Sequence, residues 1–102
     1  MRLSIDRGAA ALLRAIRAWD GGAVLLEEQH SRPWASATFV GARHRLEIRL
    51  AGMDAERRAE RLAGALPQME FSLARLLVAD VAVAARPAPA ALVIEALVLD
   101  EA

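Results

Sequence analysis

The stretch W-A-S-A-T-F-V-G-A-R-H-R-L-E-I-R-L, residues 34–50, carries the clearest two-residue alternation in the chain. Leu46, Ile48 and Leu50 alternate there with charged side chains. Because successive side chains of a β-strand point to opposite faces of a sheet, this pattern predicts one buried face and one solvated face. We therefore expect the fold to be organised around a strand at residues 43–51.

Gly41 leaves two arrangements open for the first half of this stretch. In the first, Gly41 and Ala42 are the central residues of a tight hairpin between strands 34–40 and 43–51. In the second, one long, bulged strand runs through Gly41. We favour the hairpin, because it places Phe39 on the aliphatic face. The first central residue of a type II′ turn also needs the positive φ that glycine adopts easily.

Apolar residues at helical spacing predict two helices, one on each side of this segment. The first extends from about Gly8 to Trp19, with Asp6 as its N-terminal cap and the glycines after Asp20 as its end. The second follows Asp54, its predicted cap, and carries a narrow apolar stripe of alanine and leucine. The arginines and glutamates on its other side predict a solvated helix back.

The remaining segments predict further strands. Residues 1–6 alternate and are interpreted as a short strand that leads into the first helix. Residues 23–31 begin apolar and end charged, which predicts a strand whose first half is buried on both faces, before a turn at residues 31–33. Runs rich in valine, isoleucine and leucine at 76–85 and 92–99 predict a hairpin around a stiff loop that contains two prolines.

Together these segments predict an α+β fold, a two-layer sandwich with two helices on one face of a mainly antiparallel sheet, in a ferredoxin-like variant. With 102 residues, the chain forms a single domain, 1–102. By simple alternation, Val81 and Val83 lie on one side of the strand at 76–85 and other aliphatic residues lie on its opposite side. A strand that is apolar on both sides predicts that Val81 and Val83 contact a partner subunit, and hence a homodimer.

Charge and composition narrow the function classes. Thirteen basic residues, all arginine, balance thirteen acidic ones, so the net charge of zero argues against a nucleic-acid partner. The exclusive use of arginine indicates a bacterial origin with a GC-rich genome. The absence of cysteine excludes disulfides and thiolate metal sites and suits a reducing cytoplasm. No stretch has the pattern of a signal peptide or a membrane span, so we expect a soluble cytoplasmic protein without a membrane partner.

The two histidines are the first candidates for metal chemistry. His30 and His44, with the neighbouring Glu27 and Glu28, are the residues that a divalent cation would use. Their spacing does not force them to converge on a helix or across a hairpin, and arginines flank them. We therefore predict no metal site, and no motif indicates a cofactor.

Two carboxylates interrupt apolar strands and mark a second candidate. A buried Asp80 or Glu95 has to find a hydrogen-bond donor or remain neutral. With His44, which the hairpin arrangement places on the aliphatic face, they form a candidate polar site. Each carboxylate either pairs with an arginine, occupies an exposed position or recognises a ligand. Ser36 could join His44 and Asp80 as a catalytic triad, but no strand-turn-helix serine motif accompanies it. An enzyme is therefore the less favoured prediction.

The opening L-S-I-D-R-G-A-A-A-L-L-R-A-I, residues 3–16, resembles the start of an ACT-type regulatory domain, where a strand ends in a short turn before a helix. The later H-R-L-E-I-R-L and D-A-E-R-R-A-E-R-L are similar to the third strand and second helix of that pattern. The resemblance implies a ferredoxin-like sandwich that dimerises. It also implies that an amino acid or a similar metabolite binds at the first strand-helix turn, here Asp6, Arg7 and Gly8.

The sequence leads to two predictions of function. The first is a small, non-enzymatic bacterial domain that acts by self-association or by binding a protein partner through an apolar sheet face. The alternative is a regulatory domain that senses an amino-acid-like small molecule. The first predicts oligomers without ligand, and the second predicts stabilisation by a ligand.

Overall fold

The computed structural model describes the backbone of residues 3–101 and the side chains of residues 7–101. Two helices and four strands follow one another in the order helix-strand-strand, twice. A short 3-10 turn at Leu66–Gln68 ends the second helix. The bounds are α1 Leu3–Asp20, β1 Ala23–Ala35, β2 Val40–Ala51, α2 Ala55–Ala65, β3 Leu76–Ala88 and β4 Ala91–Asp100.

The strands form one antiparallel sheet in the order β1-β2-β4-β3. Each helix-strand-strand half contributes one hairpin, and β2 pairs with β4 to join the hairpins. Exchanging the two halves leaves this strand order unchanged, so the two helix-strand-strand halves occupy equivalent positions in the sheet. The predicted α+β class, with two helices and an antiparallel sheet, is confirmed. The ferredoxin-like variant is not confirmed, because that pattern runs strand-helix-strand-strand-helix-strand.

Helix α1 begins earlier than the sequence pattern indicated. Residues 3–6 are helical, so the strand predicted for residues 1–6 is wrong over this part, and residues 1 and 2 lie outside the described chain. Asp6 is an internal helix residue and not a cap. The predicted end is confirmed: Gly21 has a φ of 81°, and its N–H donates to the Arg17 carbonyl oxygen at 2.9 Å.

The β1–β2 hairpin turns at residues 36–39, before the predicted position. The Ser36 N–H donates to the Phe39 carbonyl oxygen at 2.8 Å, and the Ser36 hydroxyl accepts from the amides of Thr38 and Phe39. The hairpin centred on Gly41-Ala42 is therefore wrong, as is the turn at residues 31–33. Pro33 lies within β1, which tolerates proline because β1 is an edge strand.

Gly41 is needed in β2 for close backbone approach. A Cβ at this position would lie 2.8 Å from the Cα of Leu99 on β4, and closer still to the carbonyl oxygen of Val98. Its φ is not positive, since the glycines of positive φ are Gly21 and Gly52. The residue that suggested a turn thus allows two central strands to meet.

Helix α2 is confirmed at its predicted place. Asp54 is its N-cap residue by position, in a left-handed conformation, but its side chain makes no capping hydrogen bond. Ala59 and Leu62 of the apolar stripe are fully buried, and Leu66 in the following turn is buried as well. The stripe therefore packs on the sheet as expected.

The β3–β4 hairpin is confirmed, but β3 is bulged. Its register shifts between Val78 and Asp80, so that Val78 pairs with Val98 while Val81 pairs with Ala96. Because a bulge inserts one residue, it reverses the alternation that follows. Val81 and Val83 therefore pack against the core on the same side as Val78.

The prediction that β3 is apolar on both sides is therefore wrong. A subunit contact through Val81 and Val83 stays a prediction. The connecting loop is also shorter than expected. Strand β3 continues through Pro87 to Ala88, which leaves Pro89 and Ala90 as the turn.

Both helices pack on the same face of the sheet. One continuous cluster joins the apolar residues of α1 and α2 to the inward side chains of all four strands. The sheet register aligns this core, with Leu46 opposite Ile94 and Ile48 opposite Leu92. The largest fully buried side chains are Leu12, Ile16, Leu46, Ile48, Leu50, Leu62, Leu66, Leu92 and Ile94. Each of them stabilises the fold by roughly 1.5–3 kcal/mol.

Candidate binding groove on the outer sheet face

The outer face of the sheet, which points away from the helices, carries the charged residues. Successive pairings place Arg32 on β1 opposite Arg43 on β2, Arg43 opposite Leu97 on β4, and Leu97 opposite Asp80 on β3. One row across the four strands thus has two guanidinium groups at one end and a carboxylate at the other. Among residues 7–101, Arg32, Arg43 and Asp80 make no ion pair.

A second row runs parallel to the first. His30 lies opposite Arg45, Arg45 opposite Glu95, and Glu95 opposite Ala82. Arg45 donates to the Glu95 carboxylate at 2.9 Å. The Glu95 charge is therefore neutralised within the sheet, in agreement with the predicted pairing with arginine.

The central strand gives this face an apolar base. Val93, Leu97 and Leu99 point outward from β4 and yet are only 4%, 9% and 6% exposed. Residues of β2 lie beside them, including Arg43 and Arg45. Arg43 lies opposite Leu97, and the stem of an arginine can cover apolar surface while its charged group stays in water.

The two rows border an open groove of about 490 Å³. This volume lies within the range of small-molecule sites, which is about 300–1,000 Å³. The groove contains all three residues of the predicted polar site, His44, Asp80 and Glu95. The full lining is His30, Ser31, Arg32, Arg43, His44, Arg45, Asp80, Ala82, Glu95 and Ala96.

His44 contributes to this groove as part of β2, but its imidazole lies on the helix side of the sheet. A Cβ added to Gly8 of α1 would lie 2.7 Å from its Nε2 atom. The ring is buried, and its Nδ1 forms a hydrogen bond of 2.8 Å with the Ser31 hydroxyl. We therefore assign the His44 side chain to the attachment of α1 and the charged side chains to the groove.

The ligand site implied at Asp6, Arg7 and Gly8 has no strand-helix turn in this structure, because all three residues are inside α1. Arg7 is exposed and lies 3.4 Å from Asp100. Gly8 is buried against the His44 ring and Val98. A glycine at this position lets α1 approach the sheet, which gives it a packing role.

Arg58 is the main exception to the predicted solvated back of α2. Its side chain is 12% exposed, and its Nη2 lies 2.7 Å from Oδ2 of Asp20, which is 1% exposed. Its guanidinium also donates to the carbonyl oxygens of Ala23, Ala51 and Met53. One side chain thus ties both ends of the β1–β2 hairpin to both helices.

The same contact perturbs both partners. The hydrogen bonds from Arg58 lower the pKa of Asp20 most, and the Gly22 amide lowers it further, while burial opposes them. The pKa of Arg58 is raised chiefly by its hydrogen bond to Asp20. Asp20 is thus held ionised, and Arg58 has a structural role.

The four residues considered for a metal do not come together. The imidazole of His44 is on the helix side, and Glu27 forms an ion pair with Arg49. Glu28 and His30 instead meet Glu47 of β2, a residue that sequence spacing did not suggest. The β1–β2 register, once known, would have found it, since Glu28 lies opposite Glu47.

No helix in the described part of the chain is both long and apolar enough to cross a membrane. Comparison with known proteins adds nothing to the geometry. Neither family models, nor curated proteins, nor solved structures give a match. The likeness to ACT-type domains therefore stays a prediction, and the groove carries the functional argument.

Proposed function

We propose that the protein is a binding domain whose outer-face groove holds a small, amino-acid-like molecule. The observation that supports this proposal most is the row Arg32, Arg43, Leu97, Asp80. Its two guanidinium groups and its carboxylate line one groove, whose apolar lining residues are Ala82 and Ala96. The proposed role is binding without reaction.

The two arginines suit an anionic group. Directly opposed side chains of an antiparallel pair have Cβ atoms about 5 Å apart, so Arg32 and Arg43 repel each other when nothing lies between them. A carboxylate bound by both would remove that repulsion and accept charge-assisted hydrogen bonds. Arginine is the preferred residue for such planar, two-point contacts.

Asp80 suits a cationic group at the other end of the same molecule. Neighbouring strands are about 4.8 Å apart, so the backbones of Arg43 and Asp80 are separated by roughly 10 Å across β4. The long arginine side chain shortens the gap between the charges. The ligand class is therefore a zwitterion whose carboxylate and ammonium groups are several atoms apart, with a short apolar middle beside Ala82 and Ala96.

Isothermal titration with δ-aminovalerate, valerate and pentylamine tests this assignment. The zwitterion should bind more tightly than either singly charged analogue, because only it reaches both ends of the row. Arg43→Gln should abolish binding of δ-aminovalerate and valerate. Asp80→Asn should weaken δ-aminovalerate about fivefold, equivalent to about 1 kcal/mol for an exposed ion pair, and leave valerate unchanged.

Arg57→Gln is the matched control, because Arg57 is exposed on α2 away from the groove. This variant should bind all three compounds as the wild type does. Equal affinity of the wild type and Arg43→Gln for δ-aminovalerate would refute the groove as its site.

A second function, self-association, is supported by β3. This strand lies at a sheet edge, and its first ten residues, 76–85, carry a single charge, Asp80. Val81 and Val83 are only partly buried against the core. An apolar edge strand offers unpaired backbone groups to a second copy of the chain. Edge-to-edge pairing of two β3 strands would make the homodimer that we propose as an alternative.

Light scattering of two variants, in each of which an alanine is replaced by glutamate, tests the second function. Ala84→Glu places a charge on the exposed surface of β3, and Ala35→Glu places the same charge on β1 at the opposite edge. A β3-mediated dimer should dissociate in the first variant and persist in the second. A wild-type protein that is monomeric at high concentration would exclude this function and leave the groove unaffected.

The bacterial origin and cytoplasmic location are also part of this proposal. All thirteen bases are arginine, and the chain contains no cysteine. Proteins of a reducing compartment do not need disulfides, which supports the cytoplasm.

A further inference from the structure

Two glutamates lie directly opposite each other next to the groove, Glu28 on β1 and Glu47 on β2. Like charges in this position destabilise a sheet. His30 follows Glu28 on the same face, and its Nε2 lies 2.9 Å from Oε1 of Glu28. Ligand atoms from the three residues all lie within 4.8 Å of one another.

We propose that Glu28, His30 and Glu47 form a binding site for a divalent first-row transition metal, with Zn²⁺ as the probe. Imidazole nitrogen and carboxylate oxygen are both common zinc ligands. The imidazole favours such a cation over Mg²⁺ or Ca²⁺, which prefer all-oxygen sites. A bound cation would also remove the repulsion between the two glutamates.

The geometry requires only a small adjustment. Zinc–ligand bonds of about 2.0–2.2 Å in a tetrahedral site place the ligand atoms about 3.4 Å apart. The Glu28 and His30 atoms, now 2.9 Å apart, have to separate by about 0.5 Å, and the Glu47 carboxylate has to move by at most about 1.4 Å. Glu28 and His30 have side chains that are 60% and 65% exposed, so rotation is unhindered, while the two paired strands fix the backbone.

The neighbouring charges define the limits of the site. Glu27 is held by Arg49 and does not join it. Arg45 lies 3.8 Å from Glu47, but it donates a closer contact to Glu95, which leaves Glu47 available. Three protein ligands leave a fourth position open to water, as in catalytic zinc sites. His30 also lines the groove, so this open position is accessible to a molecule bound there.

The test uses the chain of residues 1–102 without an affinity tag. Zn²⁺ titration should give one site per chain, and Co²⁺ should produce the visible absorption of a protein-bound ion. His30→Gln and Glu47→Gln should each weaken Zn²⁺ binding by more than about tenfold, since loss of a direct ligand exceeds the effect of losing an outer-shell partner. Glu27→Gln, an adjacent glutamate outside the site, should bind as the wild type does.

Each outcome decides the proposal. Failure of the wild type to bind Zn²⁺ or Co²⁺ at millimolar concentration would overturn it, as would equal binding by His30→Gln. A thermal melt of each variant without metal checks that its fold is intact, which the exposure of these side chains predicts. The result is independent of the proposed function, because Arg43→Gln should leave Zn²⁺ affinity unchanged while it abolishes δ-aminovalerate binding.

Discussion

Replacing Gly41 with alanine tests whether glycine is needed at this position for the close approach of β2 to β4. The new Cβ would lie 2.8 Å from the Cα of Leu99 and closer to the Val98 carbonyl oxygen. Both are backbone atoms, so no side-chain rotation relieves the contact. Overpacking costs roughly 1–3 kcal/mol, and a local separation of β2 from β4 loses about 1 kcal/mol per hydrogen bond. We expect Gly41→Ala to lower the free energy of unfolding by about 2–4 kcal/mol.

Gly64→Ala is the matched control, because the same chemical change has the opposite expected sign. Gly64 is exposed in α2, and an added Cβ would meet no atom within 4 Å. Its φ is not in the left-handed range. Alanine is favoured over glycine in a helix by roughly 0.5–1 kcal/mol, so this variant should be stabilised by about that amount.

Urea and thermal unfolding followed by circular dichroism measure both effects. At roughly 4–8 °C per kcal/mol, Gly41→Ala should lower Tm by at least about 8 °C, and Gly64→Ala should raise it by a few degrees. A Gly41→Ala variant within about 0.5 kcal/mol of the wild type would refute the close approach of β2 and β4 at this position.

Three further experiments test other parts of the structure. Asp20→Asn removes a carboxylate whose pKa is lowered by its hydrogen bond from Arg58, so urea unfolding should show the full loss of unfolding free energy above about pH 4. The loss should shrink as the pH falls through the lowered pKa, because the wild-type carboxylate is then protonated as well. A loss of unfolding free energy that is the same at every pH would contradict this reasoning. Leu62→Ala should lower the free energy of unfolding in urea by about 3 kcal/mol, because Leu62 is 0% exposed. Leu25 is 49% exposed, so Leu25→Ala should lower it by less than about 1 kcal/mol, and similar losses in the two variants would argue against the core assignment. Ser36→Ala removes the acceptor of two turn amides and should lower the unfolding free energy by about 1 kcal/mol, so an unchanged urea midpoint would exclude that turn.

The parts of the fold that follow from local patterns were predictable. Helix α2, the C-terminal end of α1, and the β3–β4 hairpin each have a period and a boundary signal within a few residues. The strand predicted for residues 1–6 failed this test because six residues are too few to separate a period of 2 from one of 3.6. Residues 3–6, the part of this segment that the structure describes, belong to α1.

Features that depend on distant parts of the chain were not predictable. The bulge after Val78 reverses the side-chain pattern of β3, and nothing near it in the sequence signals the extra residue. Gly41 has the chemistry of a turn, and only its contact with β4 shows otherwise. Arg58 sits among charged residues of a helix back, so its buried pairing with Asp20 had no sequence signal.

The candidate site was found in part. Asp80 and Glu95 were recognisable because they interrupt apolar strands, and both border the groove. The pairing of Arg32 with Arg43 was missed because a turn was expected at residues 31–33, which removed Arg32 from β1. Once β1 is known to continue to Ala35, its register places the two arginines opposite each other.

The division of the sheet into two helix-strand-strand halves gives this architecture a route to domain swapping. Only residues 52–54 connect β2 to α2, with Gly52 at a φ of 89° and Asp54 at 58°. If this connection straightens, β4 of one chain can pair with β2 of another and rebuild the same sheet twice. Arg58 would then reach Asp20 of the other chain, so its contacts would hold two molecules together as they now hold two halves.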